Sequence, residues 1–484
     1  MVTVSTVCGR FFVTLQRIFK HDSFMEPTTK DQETLLRRKL DLLLRTGKLL
    51  VESAADTNRI MRNMKRVAAY LGLPAESTHI NVSYTMLMVN ISDDQHSFSK
   101  FQRCERHGIN MTAISQVSKL SWRAIREDYS LDRYEEELEA IRSRKRNYKP
   151  WTVAIGAGFA CGGFCVQFGC DWVAFLYASV AAICGMRLRA HCMEFGINQY
   201  MSIAIAAFVS TLLAWATTFL PAGWTSTPWH PLLACALFIV PGVPLINFVD
   251  DMLDNYIAVG IVRAVNTMLM LAAMALGIAA AVKLCHVADS FPTISLVPHH
   301  TFFEYAVAAA ISAVGFSMIF NVPRRLLWVV ALGGALAVCT RNFVNFGAST
   351  GNVGLDMGLV VGSFAGAVLV SLIAIKAVHW FHAPNHVITV PCVIPMIPGV
   401  LMYRFLLGFI SLRPDSMDNV LPLLRALDNG INSALVILFI SVGVAIPNIF
   451  ARRYIAADRE RKLQILIEER RQRGKFVDLA KLGA

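Results

Sequence analysis

Three aspartates and an arginine, Asp250, Asp251, Asp254 and Arg263, are the residues whose types and spacing could do chemistry. They follow an apolar run that carries Pro241, Gly242 and Pro244, and Asn247 lies between the prolines and the carboxylates. An ionised group at the centre of a bilayer costs about 2.5–3.5 kcal/mol on translocon scales, so charges in or beside such a run are functional candidates. For the aspartates two readings stand together: solvated carboxylates at the end of a span, or groups that couple substrate or protons. Arg263 falls roughly two turns into the next apolar run, where pairing with Asp250, Asp254 or a substrate carboxylate would relieve its cost. A second set, Pro395, Pro398, Gly399, Tyr403 and Arg404, repeats the pattern. Arg404 either serves the same site or snorkels to the interface.

The prolines decide what kind of element carries these groups. A helix-interior proline removes a backbone bond and costs about 3 kcal/mol or more, so each proline pair breaks an apolar helix. Non-helical backbone at bilayer depth survives only inside protein or beside a water-filled cavity. Two broken helices at matching places in two halves of a chain point to a transporter's binding site. Each break also frees a half-helix N-terminus, here near Val243 to Asn247 and Gly399 to Met402. Its amides favour an anionic group by about 0.3–1 kcal/mol, up to ~2 when partly buried.

Composition sets the frame. A chain of 484 residues with 55% hydrophobic content and a mean hydropathy of +0.48 is too apolar for a soluble protein, and reads as a polytopic α-helical membrane protein. Residues 1 to 150 hold 25 Lys and Arg against 18 Asp and Glu, residues 451 to 484 hold 10 against 5, and the middle is balanced at 11 each. The net charge of +12 therefore sits at the two ends, where basic segments flanking spans act as cytoplasmic retention signals; nucleic acid is not an expected partner. The 11 cysteines form no CxxC, and His79, His96 and His107 lack ligand spacing, so no metal, cofactor or disulfide framework is expected. Gly347 to Gly351 fits G-x-S-x-G but sits in a polar loop between spans, without the strand and helix a nucleophile elbow needs. The chain is not read as an enzyme.

The expected organisation is a polar tail over 1–30, a cytosolic α+β domain over 31–148, five spans within 149–290, five more within 291–450, and a C-terminal amphipathic helix and tail over 451–484. In the α+β domain, Asp31 to about Leu71 has helical spacing, as one long helix or two consecutive ones, and Thr78 to Ile91 and Ser97 to Cys104 read as strands. The C-terminal helix would lie along the membrane surface or against the α+β domain. An odd number of spans per half inverts the second half relative to the first, so the about ten helices read as a 5+5 inverted repeat. Echoes support a duplication: Gly163-Phe164 with Gly315-Phe316, the two proline pairs, and Asp254-Asn255 with Asp428-Asn429. Gly354, Gly358, Gly362 and Gly366 form a four-residue stripe suited to close helix packing. Positive-inside counting puts both termini in the cytoplasm, with Arg341, Arg413 and Arg425 on the opposite side.

Three stretches carry a resemblance to the threonine/serine exporters: GKLLVESAADTNRIMRNMKRVAAYLGL (Gly47 to Leu73), VPGVPLINFVDDMLDNYIAVGIVRAV (Val240 to Val265) and VPCVIPMIPGVLMYR (Val390 to Arg404). The resemblance covers most of residues 35 to 450 in a single chain. It implies proton-driven export of small hydroxylated amino acids or related small carboxylates across the cell inner membrane, with lipid, solute and protons as partners and no cofactor. It would carry roles onto Pro241, Gly242, Pro244, Asp250, Asp254 and Arg263, and onto Pro395, Pro398, Gly399 and Tyr403. A dicarboxylate such as succinate, and a passive channel with a regulatory cytosolic domain, remain open.

Overall fold

A computed structural model describes residues 29–92, 97–105, 107–287, 300–347, 353–381, 383–410, 420–451, 457–473 and 476. The polar tail up to residue 28, His96, the Ser349-centred part of the G-x-S-x-G stretch, Arg413 and the last residues from 477 lie outside them.

The helical pattern that begins near Asp31 resolves into two helices, α1 (Thr29–Glu52) and α2 (Thr57–Tyr70). The interruption comes from Ala54, which adopts a left-handed φ of 61°, and from Asp56, whose side chain accepts from the Arg59 amide and starts α2 as its N-cap. Three antiparallel strands follow in the order β1 (Thr78–Val82), β2 (Met86–Ser92) and β3 (Ser97–Arg103). Leu87, Val89 and Ile91 alternate onto one face of β2 and are fully buried, as are Leu43 and Leu44 of α1 and Ile60, Met64 and Val67 of α2. Helices α3 (Met111–Arg126) and α4 (Leu131–Ser143) complete this N-terminal part.

Several helices between residues 150 and 451 are built the other way round, with small residues inside and large apolar ones outside. In α6 (Trp172–Glu194) Ala174, Ala178 and Ala182 are buried while Leu176 and Val180 are more than half exposed. That pattern suits helices packed against each other in lipid, where close backbone approach replaces the hydrophobic drive. Among the described residues, seven helices are long and apolar enough to cross a membrane: α6, α7 (Gln199–Ala216), α10 (Ile257–Leu284), α11 (Phe302–Ile319), α12 (Leu327–Asn345), α13 (Leu359–Phe381) and α16 (Val420–Ala451). Two bent pairs raise the number to as many as nine. One is α8 (Pro231–Ala234) with the turn to Ile239, then α9 (Gly242–Leu253), bent by 59°; the other is α14 (Asn385–Val393) with its turn, then α15 (Gly399–Ile410), bent by 56°.

Helix α5 (Pro150–Gln167) packs along α11, and the closeness is extreme. A Cβ on Gly163 would stand 2.5 Å from the Ala308 carbonyl, and one on Gly315 would collide with the Gly156 carbonyl and the Ala160 backbone. Ser312 Oγ donates to the Ala160 carbonyl at 2.8 Å. The glycine stripe expected from Gly354 to Gly366 is shorter than its spacing suggested. Gly354 and Gly358 precede α13, Gly358 with a φ of 85°, and only Gly362 and Gly366 lie on the helix, against the carbonyls of Arg341 and Ala337. The left-handed turn at Gly358 stops the helix from starting four residues earlier.

The N-terminal part is fastened to the span helices at two places. At the end of α11, Asn321 accepts through its carbonyl from Thr112 Oγ1 at 2.6 Å and donates through Nδ2 to Asn110, while Tyr148 donates to the Val322 carbonyl at 2.9 Å. The second fastening is the interruption between α1 and α2, which reaches α9 and α10. Helix α17 (Ala457–Gln472) docks on the N-terminal part through Arg470, which meets Asp128 at 2.5 Å and donates to the Tyr70 carbonyl at 2.6 Å.

Candidate functional site

The two breaks cross each other. A Cβ on Gly242 would run into Ile394 Cδ1 and sit 2.9 Å from Ile397 Cδ1; one on Gly399 would sit 2.8 Å from Leu237 Cδ2 and 3.2 Å from Val240 Cγ2. Each glycine thus receives the apolar turn that precedes the other's break. Pro241-Gly242 and Pro398-Gly399 hold equivalent places, whereas Pro244 stands in the first turn of α9 and Pro395 in the turn ahead of the second break. Matching the proline pairs one to one shifts the register by three residues, because only the proline followed by glycine marks a break.

Orphaned backbone groups at the crossing find partners from neighbouring helices, as buried main chain requires. The Phe238 amide donates to Cys161 Sγ at 3.2 Å, and Tyr403 Oη donates to the Leu233 carbonyl at 3.0 Å. Tyr403 therefore ties α15 to the short helix α8. Tyr403→Phe removes one buried hydrogen bond, and a loss of about 1 kcal/mol in thermal unfolding is expected. Phe164 and Phe316 meet edge-on at 5.8 Å beside the crossing, and the cavity there is about 10 Å³, room for one water at most. The crossing is closed and apolar in this conformation.

The polar groups gather one helix further, where α9 ends. Asp251, buried, faces Arg263 at 3.1 Å (Oδ2 to Nε), and Arg263 is itself only 5% exposed. Neither atom has a well-directed hydrogen bond to the other, so the pair is held by charge. The expected partners Asp250 and Asp254 are displaced around the helix, and Asp254 instead accepts from Asn58 Nδ2 at 2.5 Å. Asn247, fully buried, accepts from His386 Nε2 at 3.0 Å, which brings α14 to the same cluster. Arg404 lies beyond the second break, on α15, next to Tyr403.

The interruption between α1 and α2 completes the cluster. Asn247 Nδ2 donates to the Ala54 carbonyl at 2.9 Å, Arg263 Nη2 to the Ala55 carbonyl at 2.8 Å, and the Thr57 amide donates to Asp251 Oδ1 at 2.8 Å. Beside it, Asn266 Nδ2 donates to Tyr84 Oη at 2.9 Å and Tyr200 Oη donates to Asn266 Oδ1 at 2.6 Å, with His107 stacked on Tyr84 at 4.1 Å. Burial, then the charge of Arg263, lowers the His107 pKa against an upward pull from Glu52. The sequence did not mark Asp251 as the partner of Arg263, nor His386, Tyr84, Tyr200 and Asn266. One signal was present: Asp56-Thr57 is an N-cap pair within a run of helical spacing.

Asp56 supports this arrangement electrostatically. Burial alone would raise its pKa from the usual 3.8, yet the charges of Arg59, His386 and Arg62 and the hydrogen bond from Arg59 outweigh that and hold it well below. A carboxyl with a depressed folded pKa stabilises fully above its unfolded value near 3.9 and loses that stability as pH falls toward the folded one. Asp56→Ala is expected to lose about 1 kcal/mol of cap evenly between pH 5 and 8 in thermal melts. The gap to wild type narrows only below about pH 4.

Among known proteins, residues 41–285 match the family described as "Putative threonine/serine exporter", and residues 305–450 match the one described as "Threonine/Serine exporter, ThrE". A protein of Escherichia coli (strain K12) named "Probable succinate transporter subunit YjjP" is 26% identical over 245 residues, 50% of this chain and 92% of its own length. One of Klebsiella aerogenes with the same name is 25% identical over 260 residues, 54% of this chain and 97% of its own. No solved structure matches. Both fastenings of the N-terminal part, both breaks and the ion pair lie within the two matched segments, and the chain belongs to the threonine/serine exporter family, a family of membrane transporters.

Proposed function

We propose that the chain is a secondary active exporter of small amino acids such as threonine or serine, or of related small carboxylates, driven by the proton gradient. The reciprocal crossing of two proline-broken helices, with a buried ion pair one helix away, is the observation that carries this reading. The half-helix N-termini at Gly242 and Gly399 offer main-chain amides to a carboxylate once the apolar crossing parts. Pro241, Pro244, Pro395 and Pro398 keep the breaks open to such movement. Asn247, Asp251 and Arg263 receive the solute at the face occupied by the N-terminal part, with Asp250 and Asp254 at its rim and Tyr403 and Arg404 on the far side. Asp251 is the group that exchanges a proton, because a solute carboxylate taking Arg263 leaves it without its counter-charge.

In this reading α5 is a tenth span, and the ten form two runs of five with opposite orientation. The basic ends of the chain then place both termini and the N-terminal part in the cytoplasm, and the spans in the inner membrane. A dicarboxylate is the second reading, favoured by the names of the two bacterial relatives. Counterflow in proteoliposomes loaded with labelled threonine, serine or succinate, with and without a pH gradient, tests both. A carrier gives saturable counterflow with a gradient-dependent rate. Flux that never saturates would indicate a channel and overturn the proposal.

A further inference from the structure

The turn at residues 54–57 uses its main chain, not its side chains, to fill the polar cluster. Two carbonyls, of Ala54 and Ala55, take the donors Asn247 Nδ2 and Arg263 Nη2, and one amide, of Thr57, takes the acceptor Asp251 Oδ1. Oxygen acceptors on an amide and a guanidinium, with an N–H on a carboxylate a few ångströms away, are the groups a small amino acid presents through its own carboxylate and ammonium. The turn carries a strained residue, Ala54 at φ 61°, and is held against that strain by the tie from Asn58 to Asp254 at its flank, while Tyr84 and Asn266 tie the connection between β1 and β2 to α10. Ala55 and Thr57 are fully buried, so while the turn is seated no solute from that face reaches the cluster.

We infer that the Ala54–Thr57 turn is an internal ligand of the transport site, which a small amino acid or carboxylate entering from the same face must displace. This rests on the transport reading above and adds an autoinhibitory competition to it. A site open for only a fraction of the time binds with an apparent affinity reduced by that fraction, so one open a tenth of the time binds about tenfold more weakly. Loosening the turn from its own side then raises apparent affinity without touching Asn247, Asp251 or Arg263.

The test combines Asn58→Ala and Tyr84→Phe in the full-length chain, reconstituted in proteoliposomes and supplied in turn with serine, threonine and succinate. The expected result is a KM at least threefold lower than wild type with a maximal rate within about twofold. In wild-type protein, the carried solute should speed hydrogen exchange of the Thr57 amide segment, half-maximally at the KM. A solute that is carried while exchange stays unchanged or slows, with KM unmoved in the variant, would overturn the competition and leave the transport reading standing. No flux of any of the three solutes, by wild type and variant alike, would remove the transport reading and the competition with it.

Discussion

Arg263→Ala is expected to cut counterflow to below a tenth of wild type and to destabilise the protein, whereas Arg404→Ala should stay within about threefold. The reason is what each substitution leaves behind. Arg263 neutralises Asp251, which is 1% exposed, and also satisfies the Ala55 carbonyl. Removing one member of a buried pair leaves an uncompensated charge and costs about 3–5 kcal/mol, and 1.4 kcal/mol already corresponds to a factor of ten. Arg404 is only half-buried, on a part of α15 past the break, so its loss disturbs less desolvated charge than the loss of Arg263. Adding Asp251→Asn to Arg263→Ala should restore much of the thermal stability, because the orphaned charge is gone, but none of the flux. Equal and mild losses from the two alanine variants, measured by counterflow and by thermal melts in detergent, would mean that the pair plays no part in transport.

Gly315→Ala should disrupt the protein more than Gly242→Ala, although each adds one methyl at a crowded contact. At Gly315 the obstacles are main-chain atoms, the Gly156 carbonyl and the Ala160 amide at 2.5 Å, which can yield only if α5 and α11 separate. At Gly242 the obstacles are the ends of the Ile394 and Ile397 side chains, which can swing to another rotamer. Overpacking costs about 1–3 kcal/mol where neighbours cannot give, and separating two helices along their contact exceeds that range. Gly315→Ala is therefore expected to abolish folded yield in membranes, read by fluorescence-detected gel filtration. Gly242→Ala should fold with its flux reduced. Gly242→Val, too broad for a rotamer change to accommodate, should stop flux, and Ile394→Ala on the same background should recover part of it.

How much of this was legible beforehand follows from which interactions are local. A proline removes a backbone donor and crowds the preceding turn wherever the chain takes it, so Pro241, Pro244, Pro395 and Pro398 announced two interrupted apolar segments, and the family motif around them pointed to a transporter. Proline alone is not sufficient, since Pro391 and Pro447 stay inside α14 and α16. Apolar content and strand alternation in residues 78–104 are likewise properties of short stretches. They read correctly as a membrane protein whose N-terminal residues form helices around a small sheet. The glycine stripe was read as longer than it is because spacing gives glycines a helical stripe regardless of backbone conformation, and a left-handed φ at Gly358 is set by the loop it closes.

Side-chain partnership lies at the other extreme. Asp250, Asp251 and Asp254 are near-equivalent in sequence, and which one meets Arg263 depends on how α9 is rotated about its axis by the break and by the packing of α10. His386 is 139 residues from Asn247, and the Ala55 carbonyl is 208 from Arg263. By itself the sequence determined that two apolar helices break, where they break, and that charges follow the first break, because these depend on covalent geometry and on the cost of charge in lipid. Only the tertiary structure decided that the breaks interlock through Gly242 and Gly399, and that an N-terminal turn closes over the ion pair. Those choices are fixed by long-range packing, in which the fit between distant surfaces selects one rotation of each helix.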